Sequence, residues 1–446
     1  MAKDLQTVID GERMSARQWI AVAITICLNA LDGFDVLSSA FAGPGIKKEW
    51  NLGPDGLGAV LSMELIGMGV GSLVLGGMAD KYGRRPTILT CLVLMGIGMF
   101  GATTAHSPET LSAWRVLTGL GIGGMLAATN AVVFELSNLK WRSFALALMV
   151  IGYPLGAFFG GLVAAELLKT HDWRSVFMFG AIATTVFFPL VLLFVPETPA
   201  WLGQKRPAGA LEKINRTLTA FRHSAIPALP PLNPQAVGAG FADIFKGPFR
   251  RATLVLSVGY AAHMMTFYFI LKMVPAILSD PQFAGQNFSR SEGAGVLAYA
   301  NLGGAIGGAC FGWFMHRFGV KKATIGALVL SVLGVAHFGF GQTSLQGWTL
   351  AVIFAGLFTN SAVVGFYAAF AAAYPTQVKA TGTGFALSVG RGGAALSPIL
   401  AGLLFQSQLG LMNVALVMAM GSLLALVLLM FLPVKDPDPK EWGQAD

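Results

Sequence analysis

Twelve apolar runs of about 20 residues each constrain this chain more than any other feature. A helix of that length matches the roughly 30 Å hydrocarbon thickness of a bilayer. The runs fall at about 18–42, 57–79, 87–106, 109–131, 143–168 and 173–195, then at about 251–278, 292–315, 322–341, 347–373, 381–406 and 411–432. Only 12% of residues are charged and 54% are hydrophobic, against about 25% charged in an average soluble domain, which excludes an ordinary soluble protein. The 56 glycines suit helix association in lipid, which relies on small residues that let backbones approach. The fold class that follows is an all-α integral membrane protein, with twelve transmembrane helices in two six-helix pseudo-symmetric bundles.

Residues 196–250 interrupt the series. They are basic and hold seven prolines beyond Pro196, the pattern of a linker between a first bundle at 18–195 and a second at 251–432, with tails at 1–17 and 433–446. Within the linker, 207–222 fits a short amphipathic helix and ALPPLNP (228–234) an extended tether. Of the 30 Lys and Arg, 22 fall in the tails and in loops on the N-terminal side, five (Lys47, Lys48, Lys169, Arg174, Arg290) on the opposite side, and three (Arg115, Lys272, Arg391) inside spans. That bias is the positive-inside signature, which places both termini in the cytoplasm of a multi-pass cell (inner) membrane protein. It also explains the net charge of +8 without a nucleic-acid partner. Cys27, Cys91 and Cys310 lie in apolar runs without metal-ligand spacing, so no metal is expected. The mixed-charge N-terminus lacks a signal-peptide pattern, so the first span is expected to be retained.

Charges inside these runs are the candidate chemistry. The first run carries LDGFD at Leu31–Asp35. A charge at bilayer depth costs at least about 2.5 kcal/mol and usually faces a bundle interior or an aqueous cavity. Asp32 and Asp35, spaced i, i+3, share nearly one face, and Gly33 between them admits a neighbouring helix or a ligand. At 1.5 Å per residue, Asp32 and Asp35 lie about 22 and 27 Å into span one, Glu64 about 10 Å into span two and Arg115 about 9 Å into span four. All four therefore share a level in the outer half of the membrane. Lys272 lies about 31 Å along its span, which suits snorkelling to the surface, and Arg391 about 15 Å along its own, near mid-membrane. Phe267, Tyr268 and Tyr367 are candidates for stacking on a substrate ring, with His263, Asn301 and Asn360 as hydrogen-bonding candidates. Glu135, Lys140 and Arg142 cluster at the ends of spans four and five, where surface salt bridges suffice.

The two halves read as repeats offset by 236 residues. GGMADKYGRRP at Gly76–Pro86 aligns with GWFMHRFGVKK at Gly312–Lys322, matching Gly76 to Gly312 and Gly83 to Gly319. The same offset sets Lys272 against Val36, beside Asp35, which argues for a cavity position over snorkelling. Asp80, Arg84 and Arg85 are placed to bridge two helix ends on the cytoplasmic side.

The loop pattern GxxxDxxGRR after span two, formed by Gly76, Asp80, Gly83, Arg84 and Arg85, resembles the signature of the major facilitator superfamily. RVLTGLGIGG (Arg115–Gly124), GYPLGAFFGG (Gly152–Gly161) and PETPAWL (Pro196–Leu202) support the resemblance, which spans nearly the whole chain. His316 departs from it, standing where the second-half loop would carry Asp; it reads as a neutral interfacial histidine or as a weaker, pH-sensitive latch. DGFD, with FYFILKMVP at Phe267–Pro275 and GRGGA at Gly390–Ala394, resembles the aromatic acid:proton symporter family. The resemblance implies proton-coupled uptake of a benzoate- or hydroxybenzoate-type carboxylate by alternating rocking of the halves.

On that reading Asp32 and Asp35 carry the proton, with Arg115 and Glu64 in the coupling group and Arg115 the partner of one or both aspartates. Lys272 or Arg391 holds the carboxylate, with Tyr268, His263, Asn301 and Asn360 around the ring. Asp80, Arg84 and Arg85 form a cytoplasmic gate that stabilises the outward-open state. Three buried acids balance three buried bases, so protonating one aspartate leaves room for a monoanion. The expected partners are the aromatic acid, protons and the lipid bilayer. A monomer is expected, with a proton gradient in place of a cofactor. Transport of another organic anion such as a dicarboxylate, or export, is the alternative. A sensor without flux is disfavoured by the short linker, and an enzyme by the lack of a nucleophile elbow, Walker loop or metal cluster.

Overall fold

The computed structural model describes residues 5–229, 241–247, 249–284, 287–374 and 376–432. Among them are twelve helices long and apolar enough to cross a membrane. In chain order the first six are α1 (Ala16–Trp50), α2 (Pro54–Val74, continued by Gly76–Tyr82), α3 (Arg84–Thr103), α4 (Pro108–Leu136), α5 (Leu139–Thr170) and α6 (Arg174–Phe194). The second six are α7 (Phe249–Ser279), α8 (Arg290–Phe318), α9 (Val320–Gly339), α10 (Leu345–Ala373), α11 (Thr376–Gln406) and α12 (Leu411–Met430). Helix is the expected element, because lipid leaves no water to satisfy an open backbone. Starts are written locally. Ser15 and Ser289 close capping boxes with Gln18 and Glu292, Ser107, Asn138 and Ser344 cap α4, α5 and α10, and proline opens α2 and α4.

The largest boundary difference from the sequence expectation is at the end of α1. Helix α1 runs past Pro44 to Trp50, so Lys47 and Lys48 belong to its last turn and not to a loop. Basic residues there are favoured by the helix dipole.

Packing repeats with the sequence. In the first six helices α1 packs on α5 and α6, α2 on α4, and α3 on α4 and α6; in the second six α7 packs on α11 and α12, α8 on α10, and α9 on α10 and α12. The two sets meet through α2 on α11, α5 on α8, and α1 on α7. Glycine makes these crossings close. A methyl on Gly33 would sit 2.0 Å from the Tyr153 carbonyl oxygen, and one on Gly156 1.9 Å from that of Ala30, so α1 and α5 touch backbone to backbone. Gly67 and Gly71 of α2 meet α4 in the same way, and Gly303 and Gly307, 236 positions on, meet α10.

The side that carries both termini and the linker is here the terminal side. On it, a short N-terminal helix (Leu5–Gly11) and two linker helices (Pro199–Lys205 and Ala210–Ala220) bury Ile9, Trp201, Ile214 and Leu218 together. Buried His223 lies 2.9 Å from Glu12 and 2.7 Å from Gln18, tying the linker to the N-terminal segment and to the start of α1. The expected amphipathic helix is Ala210–Ala220; the Pro-rich tether from Pro230 on and the tail 433–446 lie outside the described residues.

Candidate functional site

Bonds between the two sets of helices cluster at mid-membrane and on the far side. Near the far surface Lys47 pairs with Asp280 and donates to Gln282 (2.7 Å), and Ser291 donates to the Ala165 carbonyl (2.7 Å). A methyl on Gly58 would lie 2.2 Å from the Pro398 carbonyl oxygen, so α2 and α11 also close there. The far side is sealed.

Beneath that seal lies a fully buried charge group. Glu64 Oε2 accepts from Arg115 at 2.6 Å, Lys272 at 3.2 Å and Ser39 at 2.9 Å, and all three charged side chains are fully buried. Arg115 also donates to the Asp35 carbonyl (2.9 Å) and lies 5.0 Å from the Phe177 ring centre. Lys272 reaches across the two halves to the Val36 carbonyl, the position that the 236-residue offset matches to it. It does not snorkel, because this pairing places the ammonium in the interior.

The partnership of Arg115 needs correcting. It is Glu64 that takes the guanidinium, and Asp35 contributes only its backbone oxygen. Helical spacing put Asp35, Glu64 and Arg115 at one level, as their contacts require, but left the azimuths open, and those decide which carboxylate faces Arg115. Asp35 instead packs toward α6, where a methyl on Gly180 would lie 3.0 Å from its Oδ1. Both Asp35 carboxyl oxygens and Oδ1 of Asp32 are buried without a hydrogen-bond partner among the described residues.

Asp32 stands within electrostatic reach of Arg391. Arg391, partly exposed, crosses between the halves to the Met68 carbonyl at 2.6 Å. Around it lie Tyr260, Tyr268 and Tyr367, with Tyr153 beside Tyr268. The Tyr260 and Tyr367 hydroxyls are 3.5 Å apart, and Phe267 meets Tyr268 edge to face at 5.4 Å. Four of the seven tyrosines thus gather at one level with one guanidinium and one carboxyl. Sequence reasoning passed over Tyr153 and Tyr260. Their only signal was a polar hydroxyl in an apolar span, which 11% aromatics obscured.

The remaining candidates scatter. His263 donates Nε2–H to the Thr359 carbonyl and accepts at Nδ1 from Ser422, each at 2.9 Å, so its buried ring keeps no nitrogen for a substrate. Asn301 donates to Leu297 within its own helix (3.0 Å), and Asn360 to Gly304 (2.7 Å), binding α10 to α8.

The terminal-side loop is built as a helix-end brace. Arg84 contacts Asp80 at 2.8 Å and Glu135 at 2.9 Å, and Glu135 accepts from Thr198. Glu135 therefore belongs to this brace and not to a surface cluster. Glu197 accepts from the backbone N–H groups of Arg84 (3.0 Å) and Arg85 (3.2 Å), a carboxylate at the start of α3 where the dipole favours it. Gly83 has φ +115°, and a methyl there would lie 2.2 Å from Glu197 Oε2. Arg85 donates to the Leu192 carbonyl, and Lys321, its counterpart by the offset, to those of Met430 (2.9 Å) and Leu432 (2.7 Å). Gly319 repeats the turn at φ +82°.

Twelve spans in two packing-related sets, closed on one side over buried charges, are the architecture of a membrane transporter. The chain belongs to the Major Facilitator Superfamily, whose family model matches residues 22–280 and 256–445. Its curated relatives include the 4-hydroxybenzoate transporter PcaK of Pseudomonas aeruginosa, 30% identical over 88% of this chain and 87% of that one. Also similar are the gallate transporter of Pseudomonas putida (26%; 92% and 90%) and the 3-(3-hydroxy-phenyl)propionate transporter of Escherichia coli (27%; 92% and 93%). Among solved structures, the xylose transporter XylE from E. coli in a partially occluded inward open conformation superposes with TM-score 0.72 at 15% identity, covering 94% of this chain and 98% of that one. The nucleoside transporter NupG (D323A mutant) gives 0.69 at 16% identity, covering 92% and 99%. These two show the fold.

Proposed function

We propose that this protein takes up a hydroxylated aromatic carboxylate together with protons, the 18–195 and 251–432 bundles rocking about the Arg391 level while 196–250 links them. The observation that carries the reading is the juxtaposition of Arg391, the tyrosine group and the unsatisfied carboxyl of Asp32 in the interior of a chain whose relatives are named as 4-hydroxybenzoate, gallate and hydroxyphenylpropionate transporters. Arg391 is the better anchor for the substrate carboxylate, because Lys272 is fully buried and already bonded to Val36 and Glu64. A guanidinium also suits bidentate binding of a carboxylate, and tyrosines supply both ring faces and hydroxyl partners.

Asp32 and Asp35 are the proton carriers on this reading. Their oxygens are not committed to ion pairs, whereas Glu64 neutralises Arg115 and Lys272. A proton on Asp32 removes the charge that competes with the substrate for Arg391, so proton and anion favour each other's entry. The termini face the cytoplasm of the cell membrane, as the basic loops favour. The far-side seal then corresponds to an inward-facing state, in which the Asp80–Arg84–Glu135 brace is already formed within the first six helices, so it ties helix ends of one half and does not act as the expected outward-open gate. The working unit is a monomer, driven by the proton gradient.

The test is labelled 4-hydroxybenzoate uptake with and without a proton uncoupler, in parent, Asp32→Asn and Asp35→Asn, with benzoates and aliphatic diacids as competitors. Uncoupler-sensitive uptake that both variants lose while still reaching the membrane, and that only aromatic acids inhibit, is the expected result. Parental accumulation in both variants would remove the coupling assignment, and inhibition by diacids alone the substrate class.

A further inference from the structure

A cleft of about 480 Å³ opens between α8, α9 and α10 in their terminal-side halves, apart from the site above. Ile306, Phe314 and Phe318 of α8 form one wall and Lys322, Gly326 and Leu330 of α9 the other. From Phe318 at the helix end to Ile306 is twelve residues, about 18 Å of depth, close to the roughly 15 Å of hydrocarbon in one leaflet. Ile306, Phe314 and Phe318 are exposed, so the cleft opens laterally. Lys322 stands at its mouth, exposed and without a hydrogen bond or ion pair among the described residues, while neighbouring Lys321 is held by the Met430 and Leu432 carbonyls.

The cleft is a feature of this half's side chains and not of the repeated fold. The offset of 236 pairs Lys322 with Pro86 and Gly326 with Thr90, so the matching positions of the first half carry neither the cation nor the missing side chain. Gly326 has nothing within 4 Å of where its Cβ would stand, so its missing side chain leaves room and serves no helix contact.

We propose that this cleft is a binding site for one anionic phospholipid of the terminal-side leaflet, an acyl chain lying between α8 and α9 and the phosphate on Lys322. The exposed Lys322 ammonium at the surface end, the apolar walls and the one-leaflet depth together fit that ligand class. A basic mouth on a cleft between helices selects acidic headgroups, where a plain lipid-facing groove takes any lipid.

The test is native mass spectrometry of the full-length protein after reconstitution with equal phosphatidylglycerol and phosphatidylcholine and a delipidating detergent wash. One retained phosphatidylglycerol, preferred about fivefold over phosphatidylcholine, is expected in the parent and in Lys322→Arg. Lys322→Glu should lose the preference, and Gly326→Leu, which fills the cleft, should lose the bound lipid. Equal retention of the two lipids, or an unchanged adduct in Lys322→Glu or Gly326→Leu, overturns the proposal. So does displacement of the lipid by 4-hydroxybenzoate, which would make the cleft a second substrate site. If Gly326→Leu fails to run as a monodisperse species, the contrast between Lys322→Arg and Lys322→Glu decides alone.

Discussion

Replacing Glu64 by glutamine tests the buried charge group without changing its shape. In the parent one oxygen, Oε2, serves Arg115 at 2.6 Å, Lys272 at 3.2 Å and Ser39 at 2.9 Å, and nothing there is open to solvent screening. Glutamine keeps an acceptor in place but removes the negative charge, leaving two cations buried together. Breaking a buried pair from one side costs about 3–5 kcal/mol, and the retained acceptor puts the expected loss near the lower end, about 3 kcal/mol. That is roughly a hundredfold in the folding equilibrium, read as a lower denaturation midpoint of the purified protein in detergent. The double variant Glu64→Gln, Lys272→Met removes one excess cation. It should be more stable than the sum of the single changes by about 1–3 kcal/mol. A Glu64→Gln protein within about 0.5 kcal/mol of the parent, with additive behaviour in the double variant, would refute the reasoning and place the compensation of Arg115 and Lys272 elsewhere.

Gly33→Ala should abolish folded protein, seen as loss of the monodisperse peak in size exclusion, because its methyl would fall 2.0 Å from the Tyr153 carbonyl oxygen on a backbone that cannot yield. Arg391→Gln should raise the KM for 4-hydroxybenzoate at least about tenfold with the protein still folded, given the 1.4 kcal/mol or more that a charge-assisted hydrogen bond supplies; an unchanged KM would move the carboxylate site away from Arg391. Burial holds the His223 imidazole below its ordinary value against the opposing pull of Glu12. The unfolded segment therefore takes up the proton first, and the contribution of this contact is fully present above about pH 6.5 and declines as pH falls through that value. Protease cleavage of the linker should accordingly accelerate between pH 7 and 5.5 in the parent and less so in His223→Gln; identical profiles would reject it.

Much of this protein was legible along the chain. Span number follows from the length of apolar runs against bilayer thickness, a one-dimensional quantity. The 236-residue offset located the turns at Gly83 and Gly319 and set Lys272 opposite Val36, because a repeat carries three-dimensional relations in a single number. Azimuth was different. Whether Glu64, Asp32 or Asp35 faces Arg115 depends on the rotation of three helices about their own axes, and close packing at Gly33 and Gly67, with Gly180 of α6 against Asp35, sets those rotations.

The same holds for the aromatic residues. Tyr153 and Tyr260 look like packing residues until α5 and α7 bring them to the level of Arg391, and His263 looks like a ligand until Thr359 and Ser422 take both its nitrogens. Composition and spacing determined that this chain spans a membrane twelve times and carries charge within its spans. Only the packing of the helices decided which of those charges neutralise one another and which carboxyls remain unsatisfied. An ion pair forms over a few ångströms between distant segments, and no local pattern in the chain encodes that distance.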